Sequence, residues 1–248
     1  TGFRRWCDPW SGYRRGGAMK DIETILAAPD RSPEDRGMDG PRRVSAMIDA
    51  AGLKPDQSIL ELEPGKGWFT DILLRLIGPE GHLTVQQPAL LDGFFGKDVS
   101  KKIKRAGRPN VTYSDAPFTE IAAGDATMDR VLWVQGPHEI WFEPKPGVSF
   151  GDPHRIFTEI RRVLKPGGLF FVVDNLAVAG TPQKAASELH RSEPKLLALM
   201  IEEAGFSLMH AEPDWIVSEV DTLDVPTFTP GIHLRTSQHM QKYRLAGK

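Results

Sequence analysis

The residues with the clearest potential for chemistry form a short acidic turn that follows an apolar stretch. Glu61 and Glu63 are separated by one residue, and Gly65 and Gly67 follow them with the spacing G-x-G. Glycine allows a backbone to approach a ligand closely or to adopt positive φ. A helix that begins near Trp68 would add free N–H donors in its first turn. The turn therefore predicts a small-molecule site built from a carboxylate and backbone donors at the end of a strand.

Two phosphate-binding patterns do not match this turn. A dinucleotide-binding turn requires G-x-G-x-x-G and an acid about 20 residues later, whereas the next predicted strand ends in Gln86 and Gln87. A P-loop requires Gly-Lys followed by Ser or Thr, but Lys66 is followed by Gly67. A NAD-dependent oxidoreductase is therefore a weak alternative.

Strands and helices alternate along most of the chain, as judged from apolar periodicity and turn residues. The predicted strands are residues 58–62, 82–86, 110–114, 130–135, 169–174, 206–211 and 238–245. The predicted helices are residues 44–51, 69–76, 88–109, 153–164 and 194–204, with a helix or loop at 118–127. This alternation predicts an α/β fold with a parallel sheet covered by helices on both faces.

Two further segments extend the pattern of the glycine turn. The residues Lys165-Pro166-Gly167-Gly168 precede the fifth predicted strand, and Asp115 follows the third. In order and spacing, the set resembles the class I S-adenosylmethionine-dependent methyltransferases, over roughly residues 26–246. The resemblance implies a Rossmann-like, doubly wound, mostly parallel seven-stranded sheet with an antiparallel C-terminal strand.

A leader rich in arginine and acids, residues 30–36, and a His190-Arg191 pair ahead of a late helix add a closer likeness. Together they resemble a subfamily of bacterial predicted small-molecule methyltransferases. The resemblance implies methyl transfer from S-adenosylmethionine to a small-molecule or peptide acceptor through an oxygen, nitrogen or sulfur nucleophile. The alternative is a non-catalytic binding or regulatory protein on the same fold.

The resemblance also assigns the cofactor contacts. Glu61 would help hold the amino-acid end of the cofactor, Gln87 the ribose hydroxyls and Asp115 the adenine amine. The complete predicted cofactor set is Glu61, Glu63, Gly65, Gly67, Gln87, Asp115, Ala116 and Gln135.

Two of these positions depart from the family pattern. Glu63 replaces the first glycine of the turn, so it would either bind the cofactor's ammonium group or weaken binding. Gln87 replaces the usual carboxylate, and its amide can hydrogen-bond two hydroxyls without charge assistance.

Methyl transfer requires alignment of donor and acceptor and removal of one proton. His138, after the fourth predicted strand, is a candidate general base; the alternative is a capping or partly buried histidine. His190 is a candidate second base and Arg191 a candidate clamp for an anionic substrate, unless they form a surface pair near a helix start. The predicted acceptor-lining residues are Glu139, Trp141, Asp174 and Arg191.

The bulk composition bounds the remaining expectations. A net charge of −2 gives no reason to expect a nucleic-acid partner, and the single cysteine, Cys7, excludes an internal disulfide. No apolar run approaches the roughly 18 residues of a membrane span. Neither H-x₃-H nor C-x₂-C spacing is present, so no metal is expected. We expect a cytoplasmic protein, with a homodimer left open.

Residues 1–18 form a basic, aromatic arm with four arginines and one aspartate. A Gly-Gly-Ala sequence ahead of Met19 is typical of a fusion or tag junction. The alternative is a native arm that contacts a partner, a phosphate surface or the active site. We therefore divide the chain into this arm and a methyltransferase domain at residues 19–248.

Overall fold

A computed structural model describes residues 22–95, 97–180 and 184–246, so the arm at residues 1–18 lies outside the described ranges. The described residues contain one seven-stranded sheet with the order β3-β2-β1-β4-β5-β7-β6. Only β7 runs antiparallel to its neighbours, β5 and β6, which confirms the predicted sheet. The strands are β1 (Ser58–Leu62), β2 (His82–Gln86), β3 (Val111–Ser114), β4 (Met128–Val134), β5 (Leu164–Asn175), β6 (Phe206–Ile216) and β7 (Gln238–Leu245).

Helices cover both faces of this sheet. The α-helices are α1 (Ile22–Leu26), α2 (Pro33–Asp39), α3 (Val44–Ala51), α4 (Trp68–Leu76), α5 (Asp92–Phe95), α6 (Asp98–Ala106), α7 (Pro153–Val163) and α8 (Pro194–Glu203). Short 3₁₀ turns lie at Ala89–Leu91 and Pro137–Trp141, and a π turn lies at Ala185–Leu189. Within the described ranges, no helix has the length and apolar character needed to cross a membrane.

Two hydrophobic cores form, one on each face of the sheet, and each includes residues of the helices that cover that face. Met47 of α3 and Ile72 of α4 belong to one core. Phe157 of α7 and Leu197 of α8 belong to the other. The apolar periodicity that predicted these helices therefore marks the sides that bury against the sheet.

Three of the predicted elements differ markedly in extent from the sequence prediction. The predicted helix at 88–109 is divided, and the ring of Phe95 lies near the Cα of Gly65, so this segment folds over the glycine turn. β5 begins at Leu164 instead of residue 169, because Leu164 already pairs with Met128 ahead of a register shift. β6 continues to Ile216 instead of residue 211, because its pairing with β7 continues through two register shifts.

The leader at residues 30–36 is fixed to α4 by ion pairs. Arg31 is buried and donates to Asp39 and, from Nε, to Asp71 at 3.2 Å. Arg75 bonds both Asp30 and Asp71. The leader therefore packs against the helix that follows the glycine turn.

Candidate functional site

The glycine turn connects β1 to α4 through a series of left-handed residues. Glu63, Gly65 and Gly67 have φ values of 53°, 57° and 79°. A Cβ on Gly67 would lie 3.2 Å from both Val99 and Lys102 of α6. The turn therefore requires glycine at Gly67 for its conformation and for the close approach of α6.

Glu61 is buried near the end of β1. Its carboxylate accepts a 2.7 Å hydrogen bond from the hydroxyl of Thr70 on α4. Burial raises the pKa of Glu61 to about 7. The predicted cofactor acid thus also ties β1 to the first turn of α4.

Two glutamines that follow β2 and β4, the strands on either side of β1, carry buried polar atoms without a hydrogen-bond partner in the described part of the chain. Both side-chain atoms of Gln87 are buried without a hydrogen-bond partner among the residues the structure describes. The same holds for Nε2 of Gln135, whose φ of 65° turns the chain out of β4. Because an unmet buried amide costs free energy, these groups are placed for polar ligand atoms.

Asp115 and Ala116 lie at the end of β3, as predicted, and the Asp115 side chain is exposed. The carbonyl of Asp115 accepts from the amide of Ala89, and that of Ala116 from the side chain of Gln86. The loop that presents the Asp115 carboxylate is therefore held to the end of β2.

Glu63 places a buried carboxylate between β1 and β4. Its Oε2 accepts a 3.0 Å hydrogen bond from Nε1 of Trp133. Burial, together with the charges of Glu139 and Asp174, raises the pKa of Glu63 well above its usual range. A positively charged ligand group beside Glu63 would stabilise its ionised form.

A second polar cluster lies where β4 and β5 end. Asp174 Oδ1 lies 3.0 Å from Nδ1 of His138 and Oδ2 accepts from the His138 backbone amide at 2.9 Å. His138 and Glu139 lie on the 3₁₀ turn, and both are buried. Although burial opposes it, the charge of Asp174 raises the pKa of His138. Burial raises the pKa of Glu139 to about 7.

Asp174 has two further partners that the sequence did not single out. Ser192 donates to Asp174 Oδ2 at 2.7 Å, and its Oγ lies 2.9 Å from Nε2 of His239. Burial lowers the pKa of His239 to about 4, so the neutral ring donates from Nε2 to Ser192. Asp174 and His239 are register partners across β5 and β7, a pairing without a local sequence signal.

His190 completes the cluster from the loop after β5. Its ring lies 5.5 Å from that of His138 in an edge-on arrangement and contacts Phe142 and Phe228. Burial and the neighbouring His138 lower the pKa of His190 to about 4. The structure therefore brings together four predicted residues: His138, Glu139, Asp174 and His190. Trp141, also predicted, ends the same 3₁₀ turn.

Arg191 does not face this cluster. Its guanidinium is fully buried and donates to Asp221 at 2.7 and 3.0 Å. Its remaining bonds go to the carbonyls of Leu176 and Val225. With its donors engaged in these bonds, Arg191 fixes the segment between β6 and β7, and we leave it out of the acceptor site.

Comparison with known proteins indicates the type of domain. Residues 60–172 match the family model described as a methyltransferase domain, and these residues contain the glycine turn together with His138 and Glu139. The match assigns residues 60–172, slightly less than half of the chain, to a methyltransferase domain. An arsenite methyltransferase from Halobacterium salinarum is 22% identical over 206 residues, which are 78% of this chain and 46% of that protein. The chain spans less than half the length of the first curated relatives it matches.

Solved structures support the same domain fold. A SAM-dependent methyltransferase from Aquifex aeolicus has a TM-score of 0.58 at 17% identity, covering 91% of this chain and 99% of that one. The [4+2]-cyclase SpnF has a TM-score of 0.56 at 15% identity, covering 84% of this chain and 82% of that one. Neighbours of the methyltransferase domain thus include a protein named for a different reaction.

The residues of the methyltransferase domain are compatible with S-adenosylmethionine. The unmet amide of Gln87 lies at the end of β2, where the resemblance places the ribose, and an amide can hydrogen-bond both hydroxyls. Glu63 offers a buried carboxylate to the cationic end of the cofactor. Bound S-adenosylmethionine would therefore meet a polar side chain at each of these two positions.

Proposed function

We propose that this protein binds S-adenosylmethionine along the carboxyl ends of β1, β2 and β4. We further propose that it transfers the methyl group to a small-molecule or peptide acceptor held at the His138 cluster. The single observation that carries the proposal is Gln87, whose buried amide lacks a partner within the described part of the chain. An unmet buried amide beside a glycine turn is explained by a ligand with adjacent hydroxyls. S-adenosylmethionine supplies, when bound, an electrophilic methyl group on a sulfonium.

The chain's own residues supply position and polarity. Glu63 and the Gln135 amide would orient the cofactor, while Phe142 and Phe228 would hold the ring of His190 in place. Alignment of donor and acceptor is the main requirement of the reaction. The identity of the proton acceptor, His138 or His190, stays a prediction.

Titration calorimetry with S-adenosylmethionine and S-adenosylhomocysteine tests the proposal. We expect one molecule of either ligand per chain. Absence of binding for both ligands at millimolar concentration would contradict it. Formation of S-adenosylhomocysteine in the presence of a panel of hydroxyl, amine and thiol acceptors then identifies the class of nucleophile.

The second candidate is a binding or regulatory protein on the same fold. Glu63 favours it, because a buried carboxylate stands where the family has a glycine. The SpnF comparison shows only that this fold occurs in a protein named for a different reaction. Tight binding of S-adenosylmethionine without turnover across the acceptor panel would favour this candidate over the enzyme.

A further inference from the structure

Three potential metal ligands converge at the carboxyl ends of β4 and β5. One ligand atom from each of His138, Glu139 and His190 lies within 4.8 Å of the other two. Nε2 of His138 is 3.5 Å from Oε1 of Glu139. Two ligands on a tetrahedral Zn²⁺ with bonds of about 2.1 Å lie about 3.4 Å apart. His138 and Glu139 already have this spacing. The ligand nitrogen of His190 would have to move toward these two residues by no more than about 1.4 Å to reach it.

The Glu139 carboxylate provides an independent indication of a missing ligand. The residue is only 5% exposed, and its Oε2 has no hydrogen-bond partner in the described part of the chain. Burial of a carboxylate oxygen without a partner is costly. A bound cation would satisfy this oxygen.

The environment of His138 is that of a supported metal ligand. Nδ1 of His138 lies 3.0 Å from Oδ1 of Asp174, so the carboxylate holds the imidazole from that side of the ring. This contact leaves Nε2, on the other side of the ring, 3.5 Å from Oε1 of Glu139. A carboxylate behind a histidine is the usual outer support of a histidine ligand.

The buried carboxylates at this edge of the sheet also favour a cation. Glu63, Glu139 and Asp174 are all buried. Carboxylates are rarely fully buried unless they are paired or coordinate a metal, so a bound cation would compensate this group.

We propose that His138, Glu139 and His190 bind one divalent transition-metal cation, with Zn²⁺ the best match to two imidazoles and one carboxylate. Sequence spacing gave no sign of this site, because His190 reaches it from the loop after β5. Three protein ligands leave a fourth position open, which is typical of catalytic zinc sites.

The open position indicates the acceptor class, a step that rests on the proposed function. It would take the oxygen of a hydroxyl-bearing acceptor. The cation lowers the pKa of a bound hydroxyl, so that its proton leaves to solvent and its oxygen stays on the metal. In the metal-bound protein, His138 and His190 are then ligands and do not serve as proton acceptors.

The test is a titration of the full chain with Co²⁺ after treatment with EDTA. We expect one Co²⁺ per chain with the visible absorption of a tetrahedral site, displaced by Zn²⁺. His190→Ala and Glu139→Gln should each lower the affinity at least tenfold. The exposed residues His154 and Glu143 provide matched controls, and His154→Ala and Glu143→Gln should bind Co²⁺ as the parent protein does. Circular dichroism verifies that each variant is folded.

Two outcomes would overturn the proposal. One is the absence of Co²⁺ and Zn²⁺ binding at millimolar metal. The other is binding to folded His190→Ala and Glu139→Gln with unchanged affinity. Calorimetry with S-adenosylhomocysteine on the metal-free protein separates the two proposals. If the protein binds S-adenosylhomocysteine but no metal, only the metal site is rejected. If the protein does not bind S-adenosylhomocysteine, the proposed function is rejected.

Discussion

The carboxylate of Glu63 lies directly against the Cα of Gly136. A Cβ on Gly136 would come within 2.0 Å of Glu63 Oε2 and 2.5 Å of Trp133 Nε1. The turn after β1 and the turn after β4 therefore pack tightly against each other. The side chain of Glu63 occupies the space beside residue 136, so residue 136 must be glycine. The expected cofactor position adjoins this contact.

Gly136→Ala should destabilise the protein by about 1–3 kcal/mol, the usual cost of overpacking. Glu63→Gly removes the closest of the clashing atoms and relieves the positive φ of Glu63, so the cost of Gly136→Ala should be smaller in that background. Urea unfolding of the two single variants and the double variant measures the coupling. Equal costs of Gly136→Ala in both backgrounds would show that Glu63 is not the obstructing group.

Gln87→Leu should raise the stability of the protein slightly and weaken the binding of the cofactor. The Leu side chain removes two unmet polar atoms, whereas S-adenosylhomocysteine loses a hydrogen-bonding group worth about 1 kcal/mol or more. The affinity for S-adenosylhomocysteine, measured by calorimetry, should therefore fall, whereas the melting temperature should rise. Gln57→Leu is the matched control, because Gln57 is buried but bonds Gly52 and Lys54 at the other end of β1. It should lose stability and keep cofactor affinity, and the same result for Gln87→Leu would count against a cofactor role.

The sequence predicts those parts of the site that depend on local order along the chain. Gly65, Gly67 and Gln87 follow directly from strand ends and turn residues. Ser192 and His239 could not be predicted as partners of Asp174, because β7 must first pair antiparallel to β5. The position of a residue is therefore predictable where a strand end determines it, and it is not predictable where the register between distant strands determines it.

Glu61 should make stability depend on pH. Because its pKa is raised to about 7 in the folded protein, the folded state holds a proton that the unfolded state loses near pH 4.5. The stability contributed at Glu61 is thus complete in acid and falls as pH rises from about 4.5 to about 7. Glu61→Gln removes this decline, so its stability relative to the parent should rise over that range by on the order of 2–3 kcal/mol.

Urea unfolding at several pH values measures the Glu61 effect. The exposed Glu120 provides the control, since Glu120→Gln should follow the parent at every pH. A difference between Glu61→Gln and the parent that does not vary with pH would show that Glu61 titrates normally.

Arg191→Leu should destabilise the fold without a direct effect on the cofactor. It leaves the carboxylate of Asp221 buried and unpaired, and breaking a buried pair in this way typically costs about 3–5 kcal/mol. Asp221→Leu added to Arg191→Leu removes the stranded charge and should restore part of the stability. Thermal unfolding measures both effects. Calorimetry at low temperature should show unchanged affinity for S-adenosylhomocysteine, since Arg191 faces the segment between β6 and β7. A folded Arg191→Leu variant that loses acceptor turnover with normal stability would instead support the substrate clamp that the sequence suggested.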